Sequence, residues 1–453
     1  MPSPMPEEVH DVHDVIGIGF GPSNLGLAVA IEERNRRGAP EDRVSALFLE
    51  KQETFGWHRG MLIEDATMQV SFLKDLVTLR DPASSFSFLS YLHARHRLVD
   101  FINHKEFFPT RIEFHDYLEW VAGRLGHLAR FGSEVTDIRP VRTDSGLELF
   151  DVVVGGPGGI SRTYRTRNVS LALGLRPHLP DWAGESDRVT HNRDLMFDLP
   201  GFADGPGGRF LVVGAGQSAA ETVACLHREY PEAEVYGAFS RYGYAPADNS
   251  AFVNQIFDPA AVDDFFVAPD EVKDMIFEYH KQANYSAVDL DLIDDLYHRM
   301  YVEKVNGRQR LHMLKASKVA GVRPRGRTVS ATIEFLTTGV REEIEFDAIV
   351  CATGYRGFDP STLLGEVTRY CVRDDSGSLR VLRDYRVETS PEVHGGVYLQ
   401  GPTERTHGIS STLLSNVAIR AGEILESLLA RRESARAASA ADGESRRLAM
   451  ESR

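Results

Sequence analysis

The chain has 453 residues, 42% of them hydrophobic and 26% charged, which suits a globular protein of two or three domains. Its 51 basic and 66 acidic residues give a net charge of −15, which argues against a nucleic-acid partner because such proteins need a positive field facing the phosphates. The three cysteines, Cys225, Cys351 and Cys371, lack the paired spacing of a disulfide framework or a zinc site.

Both ends of the chain differ in composition from its middle. The N-terminal segment MPSPMPEEVHDVHD lacks the basic start and apolar stretch of a signal peptide, and no run of 18 apolar residues occurs. We therefore expect a cytoplasmic protein without a membrane partner. Residues 1–12 are rich in proline and acidic side chains, and residues 431–453 offer little large apolar surface, so we expect both segments to be disordered.

A strand, turn and helix open the folded part. The buried strand VIGIG (15–19) leads through a glycine-rich turn into an apolar helix, and a second strand, VSALFLE, ends at Glu50. Gly17, Gly19 and Gly21 would let the turn approach a pyrophosphate at the helix N-terminus, and Pro22 replaces the usual third glycine at a position that proline tolerates. The Glu50 carboxylate would accept a ribose hydroxyl; the alternatives are a tight turn without a ligand and an exposed acid.

The same pattern returns in residues 209–241. Gly214, Gly216 and Ala219 form G-x-G-x-x-A between the strand RFLVV and an apolar helix. The next strand ends at Arg241 instead of an acid, and an arginine there suits the 2′-phosphate of NADP. We therefore predict NADPH as the nicotinamide cofactor, although a solvated arginine is the ordinary alternative.

Two dinucleotide modules predict a flavin module that receives a hydride from a nicotinamide module. A buried strand leads to ATGY (352–355), which would return the chain to the first module. The predicted fold class is α/β with two Rossmann-like domains, an NADPH domain (205–345) being inserted in a discontinuous FAD domain (13–200 and 346–430). Within the insertion, the polar, partly helical segment 245–315 is predicted to contact the substrate.

Several longer motifs are distributed along the chain: GFGPSNL (19–25), WHRGM (57–61), MQVSFLKDLVTLRDP (68–82), FSFLSYL (86–92), GAGQSA (214–219), NYSAVD (284–289), ATGY (352–355) and THGISSTLLS (406–415). On these motifs the chain, from about residue 14 to 425, resembles the flavin-dependent N-hydroxylating monooxygenases that act on the side-chain amine of ornithine or lysine in siderophore biosynthesis.

The resemblance implies FAD and NADPH as cofactors, a hydroperoxide formed from dioxygen at flavin C4a, and oxygen transfer to an uncharged primary amine. Segment 98–120 is more similar to the ornithine enzymes, so L-ornithine is the expected substrate. L-lysine is the alternative, because one methylene changes binding by only about 1 to 3 kcal/mol. The sequence leaves a homo-oligomer open and points to no metal, since the histidines at 10, 13, 93, 96 and 104 lack compact ligand spacing.

The resemblance also assigns residues. Lys74 would pair with the α-carboxylate, Asn254 would hold the same end of the amino acid, and Asn284 would link substrate and NADP ribose. Substrate contacts are expected from Gln69, Lys74, Asn254, Asn284 and Ser411, among which Gln69, Asn284 and Ser411 are the candidate catalytic residues. FAD contacts are expected from Gly17, Gly19, Gly21, Pro22, Ser23, Glu50, Lys51, Trp57, His58, Met68, Gln69, Val135 and Leu413. NADPH contacts are expected from Gly214, Gly216, Gln217, Ser218, Arg241, Asn284, Thr353 and Gly354.

Other proteins with two dinucleotide modules fit less well. A disulfide reductase needs a redox cysteine pair beside the flavin, and a Baeyer–Villiger enzyme carries a motif that the linker around His191 does not spell. A non-catalytic redox sensor remains as an alternative of a different class. Lys74 itself lies in an apolar run, where it could extend its stem over apolar surface and its ammonium group into water.

Overall fold

The computed structural model describes residues 12–143, 146–156, 161–202, 207–283 and 285–451. The strands are β1 (Val15–Ile18), β2 (Ala46–Leu49), β3 (Ala129–Arg130), β4 (Glu134–Thr143), β5 (Gly146–Gly155), β6 (Ser161–Thr166), β7 (Asn168–Leu171), β8 (Leu175–Pro177), β9 (Val189–His191), β10 (Arg209–Val213), β11 (Glu234–Ala238), β12 (Leu311–Leu314), β13 (Ser317–Arg325), β14 (Thr328–Phe335), β15 (Arg341–Phe346), β16 (Ala348–Cys351), β17 (Tyr355–Gly357) and β18 (Gly396–Leu399). The helices are α1 (Pro22–Arg37), α2 (Phe88–Ala94), α3 (Leu98–His104), α4 (Arg111–Arg124), α5 (Leu195–Asp198), α6 (Gln217–Glu229), α7 (Pro259–Val267), α8 (Asp270–His280), α9 (Leu290–Val305), α10 (Ser361–Leu364), α11 (Glu404–His407) and α12 (Val417–Glu451).

The first parallel sheet has the order β18-β7-β1-β2-β3. Strands β1, β2 and β18 are apolar along their whole length because both faces of the sheet are covered. Val15 and Phe48 pack on one side with α1, α4 and α12, whereas Ile16 and Leu47 pack on the other side with the antiparallel β4-β5-β6 sheet. The carboxyl ends of β1 and β2 therefore stand on a rigid base.

The second parallel sheet has the order β12-β11-β10-β16-β9. One face packs on α6, where Val212 and Val350 meet Val223, and the other face carries the antiparallel β13-β14-β15 sheet. Segment 245–315 supplies α7, α8 and α9 before β12 completes the sheet. The two parallel sheets confirm the predicted fold class, with the second inserted in the sequence of the first.

The chain passes from one parallel sheet to the other at positions that differ from the predicted domain boundaries. Residues 189–191 and 348–351 were expected in the FAD domain, yet β9 and β16 belong to the second sheet, where Ile349 lies opposite Val189 and Val350 opposite Thr190. Sequence order does not determine which parallel strands become neighbours, so the buried strand before ATGY could have closed either sheet. The return to the first sheet comes after β16, by way of β17, which pairs with β8.

The C-terminal end also differs from the prediction. The backbone of α12 is helical to Glu451, whereas the sequence predicts a disordered tail from residue 431. The segment is rich in alanine and arginine, which are strong helix formers, and Arg432 donates to the carbonyls of Asp42 and Arg43. The predicted disorder of residues 1–11 lies outside the described residues. Within the described chain, every helix is too short or too polar to cross a lipid bilayer.

Candidate active site

A single cleft of about 2920 Å³ runs along the carboxyl ends of both parallel sheets. This volume exceeds the roughly 300–1,000 Å³ of a pocket for one drug-sized ligand, so more than one large ligand can enter it. The structure brings nearly every predicted site residue into the wall of this cleft. Those residues are Gly19, Gly21, Pro22, Ser23, Glu50, Lys51, Trp57, His58, Met68, Gln69, Lys74, Val135, Gly214, Gly216, Gln217, Ser218, Arg241, Asn254, Thr353, Gly354, Ser411 and Leu413.

Two predicted site residues are not among the residues that line the cleft. Asn284 lies outside the described residues, so its predicted role stays a prediction. Gly17 faces the sheet interior: a Cβ atom there would lie 2.3 Å from Cδ1 of Phe48, so this glycine lets β1 and β2 pack closely. This contact gives Gly17 a packing role, and its predicted approach to a pyrophosphate stays a prediction.

The turn before α1 fits the diphosphate and adenosine ribose of FAD. Gly19 has φ +83°, and a Cβ atom there would lie 2.4 Å from the Ala172 carbonyl oxygen, so the position requires glycine. A Cβ atom on Gly21 would meet no protein atom within 4 Å and would project into the space that a ligand needs. No side chain caps the N-terminus of α1, so its first N–H groups can receive an anion.

Glu50 is held rigidly at the end of β2. Its side chain is buried, and its two oxygens accept the N–H groups of Phe20 at 2.8 Å and Gln52 at 2.9 Å. A carboxylate can accept further hydrogen bonds in this arrangement, as recognition of ribose hydroxyls requires.

Aromatic and apolar groups line the next part of the cleft. Trp57 and His58 meet edge to face with ring centroids 4.6 Å apart. Met68 is buried and lines the same cleft. Loss of hydration inside the protein lowers the pKa of His58, and the Arg111 charge lowers that pKa further. These groups present an apolar, neutral wall suited to a flavin ring.

The turn before α6 fits a second dinucleotide. Gly214 has φ +149°, and a Cβ atom there would lie 2.3 Å from the Ala352 carbonyl oxygen. The N-terminus of α6 has no side-chain cap. Arg241 donates to the Ser286 carbonyl at 3.1 Å and lines the cleft, which keeps its guanidinium beside this turn. Such an arginine can bind the 2′-phosphate of NADP.

A polar network connects Gln69 on one side of the cleft to Gln217, the first residue of α6, on the other side. Asp289 accepts from Gln69 at 2.6 Å and from Gln217 at 3.1 Å, and its own N–H donates to Gln217 at 2.8 Å. Gln217 also reaches Glu221, whose carboxylate receives two hydrogen bonds from Arg111 at 2.8 and 2.9 Å. Sequence reasoning missed Asp289, Glu221 and Arg111 as site residues, although Asp289 ends the NYSAVD motif.

Lys74 reaches the cleft from a loop of fixed shape. The next residue, Asp75, is buried and accepts the N–H groups of Val77 at 2.9 Å, Thr78 at 2.6 Å and Phe88 at 2.7 Å. Burial raises the pKa of Asp75, while these hydrogen bonds favour its charged form. Throughout the described chain no carboxylate lies within ion-pair distance of Lys74, so its ammonium group can receive a ligand anion.

Asn254 and Ser411 belong to short 3₁₀ helices in the same wall. Asn254 lies in Val253–Phe257 and donates its side-chain amide to the Asn249 carbonyl at 2.9 Å. Ser411 lies in Ile409–Thr412, is buried, and donates its hydroxyl to the Gly401 carbonyl at 3.2 Å. The cleft thus places the unpaired Lys74 ammonium group and several polar groups in one wall.

Two glycine-rich turns that face one cleft from two parallel sheets define a flavoprotein with an additional nicotinamide dinucleotide site. A family model described as L-lysine 6-monooxygenase/L-ornithine 5-monooxygenase matches residues 11–357, and the chain belongs to this family.

Individual relatives agree with this assignment. The chain is 39% identical to an L-ornithine N(5)-oxygenase of Arthrobotrys oligospora, with 93% of this chain and 89% of the relative covered. It is also 39% identical to an L-ornithine N(5)-monooxygenase of Burkholderia cepacia, over 88% of this chain and 90% of the relative.

Solved structures give the same result. The ornithine N-hydroxylase KtzI of Kutzneria sp. 744, with reduced FAD, NADP⁺ and L-ornithine, is 44% identical and superposes with a TM-score of 0.89 over 93% of this chain and all of that chain. An L-lysine 6-monooxygenase from Pseudomonas syringae is 31% identical with a TM-score of 0.81, over 92% and 99% of the two chains.

Proposed function

We propose that this protein is an L-ornithine N5-monooxygenase that serves siderophore or related natural-product biosynthesis. In the balanced reaction, L-ornithine, O₂, NADPH and a proton give N5-hydroxyornithine, water and NADP⁺. One oxygen atom forms the new N–O bond, and the other leaves as water after receiving the two electrons of NADPH. The observation that carries the proposal is the position of Lys74, an unpaired cation in a cleft that also contains two dinucleotide turns.

FAD, when bound, supplies the redox chemistry that couples NADPH oxidation to activation of dioxygen. Gly19, Gly21 and Glu50 would hold its adenosine and diphosphate end, and Trp57 and Met68 would contact its ring. Gly214, Gly216 and Arg241 would hold NADPH from the opposite side of the cleft. The Asp289 network fixes the two sides relative to each other, because it bonds Gln69 on one side and Gln217 on the other.

The substrate's two ends have different requirements. The α-carboxylate needs a cation, which Lys74 provides at a fixed position. The far amine has a reference pKa of about 10.4 and must lose a proton before its lone pair can attack oxygen. Loss of hydration inside the cleft would favour the neutral form of this amine, because burial disfavours a charged group.

Chain length is the remaining question for the substrate. Lys74 anchors one end of the amino acid, so the distance to the reacting position selects for the number of methylenes. The relatives named above as ornithine enzymes are 39–44% identical to this chain, whereas the lysine enzyme is 31% identical. This difference supports L-ornithine as the preferred substrate.

The direct test uses the purified chain with FAD, NADPH and air, and mass spectrometry of the amino-acid product. We expect N5-hydroxyornithine from L-ornithine and, since one methylene is worth about 1 to 3 kcal/mol, a kcat/KM for L-lysine that is about 5- to 150-fold lower. Putrescine lacks the carboxylate and serves as the matched control for the Lys74 contact. If NADPH oxidation yields only hydrogen peroxide with every amine, the proposal fails and a non-hydroxylating flavoprotein is favoured.

A further inference from the structure

Arg420 on α12 carries a charge in the protein interior. It is the largest fully buried side chain among the described residues, with 2% of its surface exposed. Its Nη1 donates to the Ser411 carbonyl at 2.7 Å and its Nη2 donates to the Ser23 hydroxyl at 3.2 Å. Its Nε has no hydrogen-bond partner in the described chain.

Among the described residues this guanidinium has no counter-ion. In the part of the chain that the structure describes, no carboxylate lies within ion-pair distance of Arg420. Glu423, one turn further along α12, is already bound by two nitrogens of Arg383, at 2.8 and 3.1 Å, and Arg383 also pairs with Asp263 at 2.6 Å. A buried charge without a partner costs several kcal/mol, so a protein keeps one where a ligand supplies the opposite charge.

The position of Arg420 indicates which ligand. Ser23, which accepts its Nη2–H, is in the first turn of α1 and lines the cleft with Gly19 and Gly21. The turn formed by these residues has a free helix N-terminus and an open approach at Gly21, the features that suit a diphosphate. Arg420 thus stands behind the anion site and is connected to it through one hydroxyl.

We infer that Arg420 is a positioning residue for FAD, whose charge complements the diphosphate through Ser23. The second hydrogen bond, to the Ser411 carbonyl, ties the same guanidinium to the 3₁₀ helix that carries the candidate substrate residue Ser411. Binding of the diphosphate and the position of Ser411 are therefore linked through one side chain. This inference goes beyond the proposed reaction, because it concerns nucleotide affinity and not hydroxylation.

The test separates the diphosphate from the rest of the cofactor. Apo protein is titrated with FAD, with ADP and with adenosine, which lacks phosphate, for the wild type and for Arg420→Met. Since the charge acts on the diphosphate, Arg420→Met should lower the ratio of ADP affinity to adenosine affinity at least about fivefold, and FAD affinity should fall with it. A smaller change in that ratio, or an equal loss for all three ligands, would overturn the inference.

Two further variants complete the experiment. Arg420→Lys keeps the charge and should restore more than half of the preference for ADP over adenosine that Arg420→Met loses. If it binds ADP no better than Arg420→Met, the charge is not the cause of this preference. If Arg420→Met does not fold, Arg420→Gln takes its place in both comparisons. Arg80→Met is the matched control, because Arg80 pairs with Glu33 of α1 at 2.6 Å away from the cleft wall. Its ratio of ADP to adenosine affinity should equal that of the wild type.

Discussion

Replacement of Lys74 by methionine keeps the length of the side chain and removes its charge. The loop around Lys74 is fixed by buried Asp75, so the substitution should leave the cleft wall in place. Because no carboxylate of the described residues pairs with Lys74, the substitution removes only the contact between the ammonium group and the ligand. Truncating one partner of a partly buried, hydrogen-bonded charge pair costs about 2 to 4 kcal/mol, which corresponds to a rise of roughly 30- to 1000-fold in KM for L-ornithine.

The assay is steady-state formation of N5-hydroxyornithine, together with stopped-flow reduction of the flavin by NADPH. The rate of reduction should stay within about twofold, because Lys74 acts on the α-carboxylate and not on NADPH. Lys51→Met is the matched control, since Lys51 lines the cleft at the end that would hold FAD, and its KM for L-ornithine should change little. An unchanged KM in Lys74→Met would refute the assignment. It would favour the alternative, in which the Lys74 ammonium group extends into water.

Three other predictions concern separate parts of the molecule. Arg241→Ala removes the charge facing the 2′-phosphate, so KM for NADPH should rise about 10- to 100-fold while KM for NADH changes little; equal changes would contradict the NADPH assignment. Arg111 and Glu221 form a nearly buried pair, so Glu221→Ala should lower the free energy of unfolding in urea by about 3 to 5 kcal/mol, and adding Arg111→Met should recover part of this loss. His407 is buried, and burial lowers its pKa to about 4, below the value of about 6.5 in the unfolded chain. As the pH falls from 7 to 5, the unfolded chain takes up a proton at this residue, so the free energy of unfolding should fall by about 2 kcal/mol. Urea titrations of His407→Gln at both pH values should show a smaller loss; an equal loss would assign the pH dependence to other groups.

The local parts of the fold were predictable from the sequence. Gly19, Gly21, Gly214 and Gly216 mark turns because their backbone and ligand requirements are met within a few residues of the chain. The strand and helix that flank each turn follow from their apolar pattern. These features place both dinucleotide sites without any knowledge of distant contacts.

Contacts between distant segments were not predictable in the same way. Gln69 and Asp289 are 220 positions apart, and no local pattern pairs them. An arginine in a helix ordinarily faces solvent, and only the packing of α12 against α1 buries Arg420. Strand β16 could have joined either parallel sheet, and the tertiary structure decides that it belongs to the second.

The most direct test of the proposed reaction is the origin of the oxygen atom in the product. The protein with FAD, NADPH and L-ornithine is allowed to react under ¹⁸O₂ in ordinary water, and the product is analysed by mass spectrometry. We predict N5-hydroxyornithine that carries one ¹⁸O atom on its side-chain nitrogen, formed in proportion to the NADPH oxidised. Oxidation of NADPH under ¹⁸O₂ that yields labelled hydrogen peroxide and unchanged L-ornithine would contradict the proposal.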